Sequence, residues 1–220
     1  MTGLRGADTR LVGIDFRPAT GALYGLGDAG GIYTLDLSDA TATFKAQLSV
    51  ALQGTSFGVD FNPVPDRLRI VSNTGQNLRA NVDSGVTAVD TAVAYTPGVT
   101  ALGITGAAYT NNDADPNTVT TLFDIDSALD QVVIQAPPNA GTLNPTGKLN
   151  VDTAWAVGFD IYSRLGGGST TLSVHGFASL TTGDHARFYR INLFTGASAL
   201  RGTFRVRDQV IDVALPLNQD

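Results

Sequence analysis

The 220-residue sequence contains no cysteine and no glutamate. The first absence excludes disulfides, thiol nucleophiles and thiolate metal sites. The second makes all twenty acidic residues aspartates. Any carboxylate catalyst therefore starts from a pKa of about 3.9 and needs strong tuning to act as an acid near neutrality. Positive charge is scarce too: fourteen Lys and Arg leave a net charge of −6. No basic run offsets that charge, which argues against nucleic-acid binding. No apolar run nears the roughly 18 residues of a membrane-spanning helix. Met1–Asp8 lacks the apolar core of a signal peptide, so a secreted or periplasmic setting is expected only if a signal precedes this sequence. Catalytic signatures are absent as well. Gly166-Gly-Gly-Ser-Thr170 lacks the strand–turn–helix context of a nucleophile elbow, and no phosphate loop, dinucleotide fingerprint or His-Glu-x-x-His occurs. No catalytic residue is assigned. His175 and His185 fall in different local settings and make no ligand spacing.

What is present is repetition. Gly13-Ile-Asp-Phe-Arg-Pro18 returns as Gly58-Val-Asp-Phe-Asn-Pro63, Gly106-Ala-Ala-Tyr-Thr-Asn111 and Gly158-Phe-Asp-Ile-Tyr-Ser163, at offsets of 45, 48 and 52 residues. Each copy opens a run of short alternating strands separated by Gly, Pro, Asn and Asp turns. Four short antiparallel strands per repeat make one propeller blade. The expected fold is an all-β propeller with four essentially complete blades and an incomplete fifth. Its units span about 11–55, 56–102, 103–154 and 155–208, with a closing strand at 209–216. A two-sheet sandwich is the competing architecture. The expected core includes Ile14, Phe16, Leu23, Tyr33, Leu35, Val59, Phe61, Leu68, Ile70, Leu122, Phe123, Phe159, Leu172, Val174, Tyr189 and Ile191. Trp155 is expected to pack between blades.

Several strings carry a family resemblance. They are Leu11-Val-Gly-Ile-Asp-Phe-Arg-Pro-Ala-Thr-Gly-Ala-Leu-Tyr24, Asp60-Phe-Asn-Pro-Val-Pro-Asp-Arg-Leu-Arg-Ile-Val-Ser72, Thr74-Gly-Gln-Asn-Leu-Arg79, Ala108-Tyr-Thr-Asn-Asn112 and Pro137-Pro-Asn-Ala-Gly-Thr-Leu143. Through them nearly the whole chain resembles the bacterial domain of unknown function DUF4394. The resemblance implies a propeller-like fold, frequent export and no assigned chemistry. It also implies further strand-like sequence ahead of Leu11. Thr2-Gly-Leu4 looks like the tail of that region, so the chain reads as N-terminally shortened.

Three groups of residues are candidates for function. Asp15, Asp60 and Asp160 share one position of the opening strands, which line a propeller's channel. Three converging carboxylates would suit calcium or magnesium, or else would fix a repeated corner through local hydrogen bonds. In the second unit Arg67 and Arg69 share one strand face, and Asn77, Arg79 and Asn81 share a face of the next. Such a cluster would match an anionic ligand, or would pair internally with Asp60, Asp66 and Asp83. Asn111 and Asn112 begin the longest polar insert and are candidate ligand contacts, or else belong to an Asn/Asp-rich turn. The expected function is a non-enzymatic interaction or ligand-binding module for a protein or carbohydrate. The alternative is an aspartate-dependent hydrolase or lyase acting on a polysaccharide or ester. An unpaired edge at the closing strand would invite self-association.

Overall fold

The computed structural model describes residues 2–167, 170–205 and 209–217. Four antiparallel sheets follow one another along the chain. Blade 1 comprises β1 (Leu11–Phe16), β2 (Leu23–Gly27), β3 (Gly31–Leu35) and β4 (Ala42–Gln47). Blade 2 holds β5 (Phe57–Asn62), β6 (Arg67–Ser72), β7 (Asn77–Ala80) and β8 (Thr87–Val89). A small hairpin, β9 (Ala94–Thr96) and β10 (Val99–Thr100), leads into blade 3. Blade 3 is β11 (Ile104–Tyr109), β12 (Leu122–Asp126), β13 (Gln131–Gln135) and β14 (Leu143–Lys148). Blade 4 is β15 (Val157–Gly166), β16 (Thr170–Thr182), β17 (His185–Ile191) and β18 (Ser198–Thr203). Each sheet pairs strictly in sequence order, as a meander joined by tight turns must. The protein is a four-bladed β-propeller.

The apolar core lies between blades rather than within them. Tyr24, Leu26 and Ile32 of blade 1 bury against Val59, Phe61, Leu68 and Ile70 of blade 2. Val71 meets Ile104, Ala107 and Leu122 across the next seam, and Phe123, Ile125 and Val132 meet Phe159, Ile161 and Tyr189 across the third. Each fully buried side chain of this size contributes about 1.5–3 kcal/mol. The alternation of every strand supplies one face to each neighbouring seam.

The repeated glycine has a steric cause. A Cβ on Gly58 would stand 2.4 Å from the Ala107 nitrogen, and one on Gly158 2.5 Å from the Asp212 Cα. The inner strands approach one another so closely at the axis that no side chain fits there. Gly13 and Gly106 face Val59 and Phe159 in the same way.

Three expectations need correction. Residues 209–216 do not form a strand. The segment lies against Gly158 on one side and Gly13 on the other and is held by side-chain carboxylates instead of a ladder. Leu172 is exposed because β15 and β16 run past the blade as a long hairpin, which carries Leu172 beyond the seam. Trp155 is 49% exposed rather than packed between blades, because it stands ahead of β15 and borders an open cavity with other residues that precede the inner strands.

Candidate functional site at the ends of the central channel

The inner strands β1, β5, β11 and β15, with the closing segment, surround the axis. Asp15, Asp60 and Asp160 are buried there. Each links its own strand to the next. Asp15 Oδ1 accepts from the Phe16 N–H at 2.7 Å, and its Oδ2 from the Phe61 N–H of blade 2 at 2.7 Å. Asp60 accepts from the Tyr109 N–H of blade 3 at 3.0 Å. Asp160 accepts from the Ile161 N–H at 2.6 Å and the Leu215 N–H of the closing segment at 2.5 Å. The register of these bonds places Ala108 and Ala214 at the two remaining positions of that level. Asp212 sits two residues earlier and takes the Ile14 N–H at 2.8 Å, which fastens the closing segment to blade 1. Sequence reading missed Asp212, because it stands where the motif has its glycine: Gly158 abuts Asp212 and Val213 as Gly58 abuts Gly106 and Ala107.

Carboxylate oxygens of Asp15, Asp60 and Asp160 lie within 4.8 Å of one another. Burial pushes the carboxyls of Asp15 and Asp60 well above the usual range, and the neighbouring aspartates add to the shift. Burial raises Asp160 to about 6, against the opposing pull of its two backbone hydrogen bonds. Burial likewise raises Asp212. The three carboxylates border a cavity of about 20 Å³ that also touches Asn111 and Asn112. That is room for one water-sized occupant. Asp15, Asp60 and Asp160 stand as candidate metal ligands by proximity alone, since their assigned partners are backbone amides.

The opposite end of the channel is different. Connectors that precede the inner strands leave a cavity of about 260 Å³, bordered by Arg10, Thr55, Ser56, Trp155, Gln209 and Ile211. The half-exposed indole of Trp155 forms one wall. Asn73 holds the 55–56 connector by accepting from the Thr55 and Ser56 N–H groups at 2.9 and 3.3 Å. Arg10 keeps only a loose ion pair with Asp28, at 3.9 Å. An aromatic face beside hydroxyl, amide and guanidinium groups fits a polar ligand with apolar patches. A lone tryptophan two residues ahead of an opening strand was the available sequence signal for this mouth.

The family described as a domain of unknown function, DUF4394, matches residues 1–214. The chain belongs to that family. No functionally curated protein matches the DUF4394 chain. Among solved structures it is similar to hydrazine synthase of Kuenenia stuttgartiensis, with 8% identity and a TM-score of 0.47 over 92% of this chain and 51% of that one. An auxiliary nutrient binding protein from Bacteroides thetaiotaomicron gives 13% and 0.43, covering 92% of this chain and 42% of that one. BamB from Moraxella catarrhalis gives 13% and 0.34, covering 88% and 62%. The DUF4394 chain thus spans about half the length of the first two structures. Likenesses this distant carry no argument about ligand or chemistry.

The remaining sequence candidates fall elsewhere. In blade 2 of the DUF4394 propeller, Arg69 is 1% exposed and donates to Tyr109, Asn77, Asp90 and Asn139. Arg79 forms a two-pronged pair with Asp90 at 2.6 and 2.9 Å. Arg67 turns back onto the Pro65 and Asp66 carbonyls, and Asn81 accepts from the Asp83 and Ser84 N–H groups. The internal partner of Arg69 and Arg79 is Asp90, not Asp60, Asp66 or Asp83. Asp66 and Asp83 instead grip Arg17 of blade 1, with contacts of 2.5 and 2.9 Å. Asn111 and Asn112 join the third seam: the Asn111 N–H donates to Ser163 Oγ, and Asn112 Nδ2 donates to the Ser163 and Leu217 carbonyls. The structure therefore brings Asn111 and Asn112 to the aspartate level and keeps the arginine cluster apart from it.

Proposed function

We propose that the protein is a non-enzymatic binding module that takes an oligosaccharide-like ligand at the channel mouth around Trp155. The observation that carries this reading is the half-exposed indole at the rim of a polar cavity of about 260 Å³. Sugar rings present apolar C–H faces to an aromatic wall, while their hydroxyls exchange hydrogen bonds with residues such as Ser56 and Gln209. An extracytoplasmic setting is part of the proposal and rests on composition, with few charges and abundant Thr, Ala, Gly and Asn.

The sequence has one tryptophan, so intrinsic fluorescence reports on this mouth directly. Titration with a panel of soluble oligosaccharides is expected to shift or quench the emission saturably for at least one of them. Calorimetry on the same sugar is expected to show at least a tenfold loss of affinity for Trp155→Ala, with an unchanged circular dichroism spectrum. Undiminished affinity in that variant, or a panel with no binder, would overturn the proposal.

A second reading, a hydrolase or lyase, draws on Asp160, whose carboxyl at about 6 lies in a general acid's working range. Against it stands the cavity beside Asp160, whose roughly 20 Å³ holds a water rather than a sugar ring. Turnover in a broad glycan and ester screen, abolished by Asp160→Asn in a folded protein, would favour the enzyme.

A further inference from the structure

Blade 4 inverts the charge of the rest of the molecule. Between Val157 and Thr203 the sequence carries Arg164, Arg187, Arg190 and Arg201 against Asp160 and Asp184, and Asp160 is buried at the axis. In an acidic protein, exposed arginines ordinarily have carboxylates at hand. Among the described residues, neither Arg190 nor Arg201 forms an ion pair.

These two side chains meet at one place. Arg190 on β17 lies opposite Ala199 on β18, and the pairing of these strands slips between Phe188 and Tyr189, which leaves Arg201 as the unpaired residue of the irregularity. Arg190 and Arg201 border a cavity of about 330 Å³ whose other walls include Val174, Leu193, Phe194 and Ala199. Among the described residues, no carboxylate lines it. Phe194 is 69% exposed on the turn that follows β17.

His175 on β16 orients one of the cations. Arg190 Nη2 stands 2.7 Å from His175 Nδ1. A guanidinium has no acceptor, so Nδ1 must be the unprotonated nitrogen and the ring neutral. Burial and the charge of Arg190 both hold the imidazole below its usual range, which keeps it neutral. The guanidinium is thus positioned without losing its charge. The Arg201 side chain makes no hydrogen bond among the described residues.

We propose that this cavity binds a small organic anion, with its carboxylate or other oxyanion between Arg190 and Arg201 and its apolar body against Phe194, Val174 and Leu193. Two unneutralised guanidinium groups supply the charge-assisted recognition, and the apolar wall supplies selectivity over inorganic anions. The site is separate from the Trp155 mouth and does not depend on the function proposed for it.

Phenylacetate is a suitable probe and phenylacetamide its uncharged match. In arginine Nε–Hε correlation spectra, phenylacetate is expected to move the Arg190 and Arg201 signals saturably, and the amide is expected to bind at least tenfold more weakly. Arg190→Gln with Arg201→Gln is expected to remove saturable binding, while Arg187→Gln, outside the cavity, leaves it intact. Arg201→Gln alone breaks no internal hydrogen bond and is expected to cost about tenfold, which keeps the test decisive should the double variant misfold. Equal binding of acid and amide, undiminished binding in Arg201→Gln, or no saturable shift would each overturn the proposal.

Discussion

Aspartate is the right length for the work done at the axis. Its carboxylate reaches the N–H of the following residue and, with the other oxygen, an N–H of the adjacent inner strand for Asp15 or of the closing segment for Asp160. The cost is a set of buried acids that hold protons more tightly folded than unfolded. A carboxyl with a raised folded pKa contributes stability that is fully present below its unfolded value and is lost as pH rises through its folded value. For Asp160 the window runs from about 4 to about 6. At about 1.4 kcal/mol per pKa unit, its share comes to roughly 3 kcal/mol. Asp83, held low by Arg17, works in the opposite direction. Chemical denaturation between pH 4 and 7 is expected to show stability declining across this window, and Asp160→Asn is expected to flatten the decline. A wild-type curve that rises steadily with pH would refute the account. Calcium added at pH 7.5 gives the candidate metal set a direct readout: a saturable rise in Tm, lost in Asp60→Asn, would assign Asp15, Asp60 and Asp160 to a cation. Sequence spacing placed those three together because the motif recurs intact. It could not find Asp212, whose surroundings depart from the motif, or the grip of Asp66 and Asp83 on Arg17, whose partners lie 49 and 66 residues apart.

At the scale of strands and seams, blade 2 depends on one buried carboxylate. Arg69 and Arg79 both rest on Asp90, whose side chain is 6% exposed. Removing one partner of a buried pair leaves an uncompensated charge, at a cost of about 3–5 kcal/mol. Asp90→Asn is therefore expected to destabilise the protein by about that amount in urea unfolding, whereas Asp39→Asn on an exposed turn changes it little. A loss below about 1 kcal/mol for Asp90→Asn would show that the arginines find other acceptors. Most strands of the four blades were legible from alternation and turn residues, and β6 carries Arg67 and Arg69 on one strand as expected. The hairpin β9–β10 was not, because two- and three-residue strands carry no periodicity to read. Leu172 looked like core because alternation records which residues share a face and not how far a hairpin runs beyond its neighbour.

The whole molecule is a ring of four sheets completed by a segment that is not part of any sheet. Residues 209–215 belong to no β-ladder among the described residues. Leu4, Leu11, Ile14 and Ile211 border an apolar cavity of about 500 Å³ on the same flank. Edges of this kind invite pairing with another chain. Light scattering across micromolar to submillimolar concentration is expected to detect a reversible dimer, and a monomer throughout would indicate that the aspartate clasps close the ring unaided.

The clasp also gives the molecule a mechanical weak point. Pulled from its C-terminal end, a blade resists as a ladder whose bonds share the load, but the closing segment meets the force through a few bonds centred on Asp160 and Asp212 that yield one after another. The nine residues from 209 to 217 would then peel away first, lengthening the chain by about 30 Å, while all four sheets remain intact.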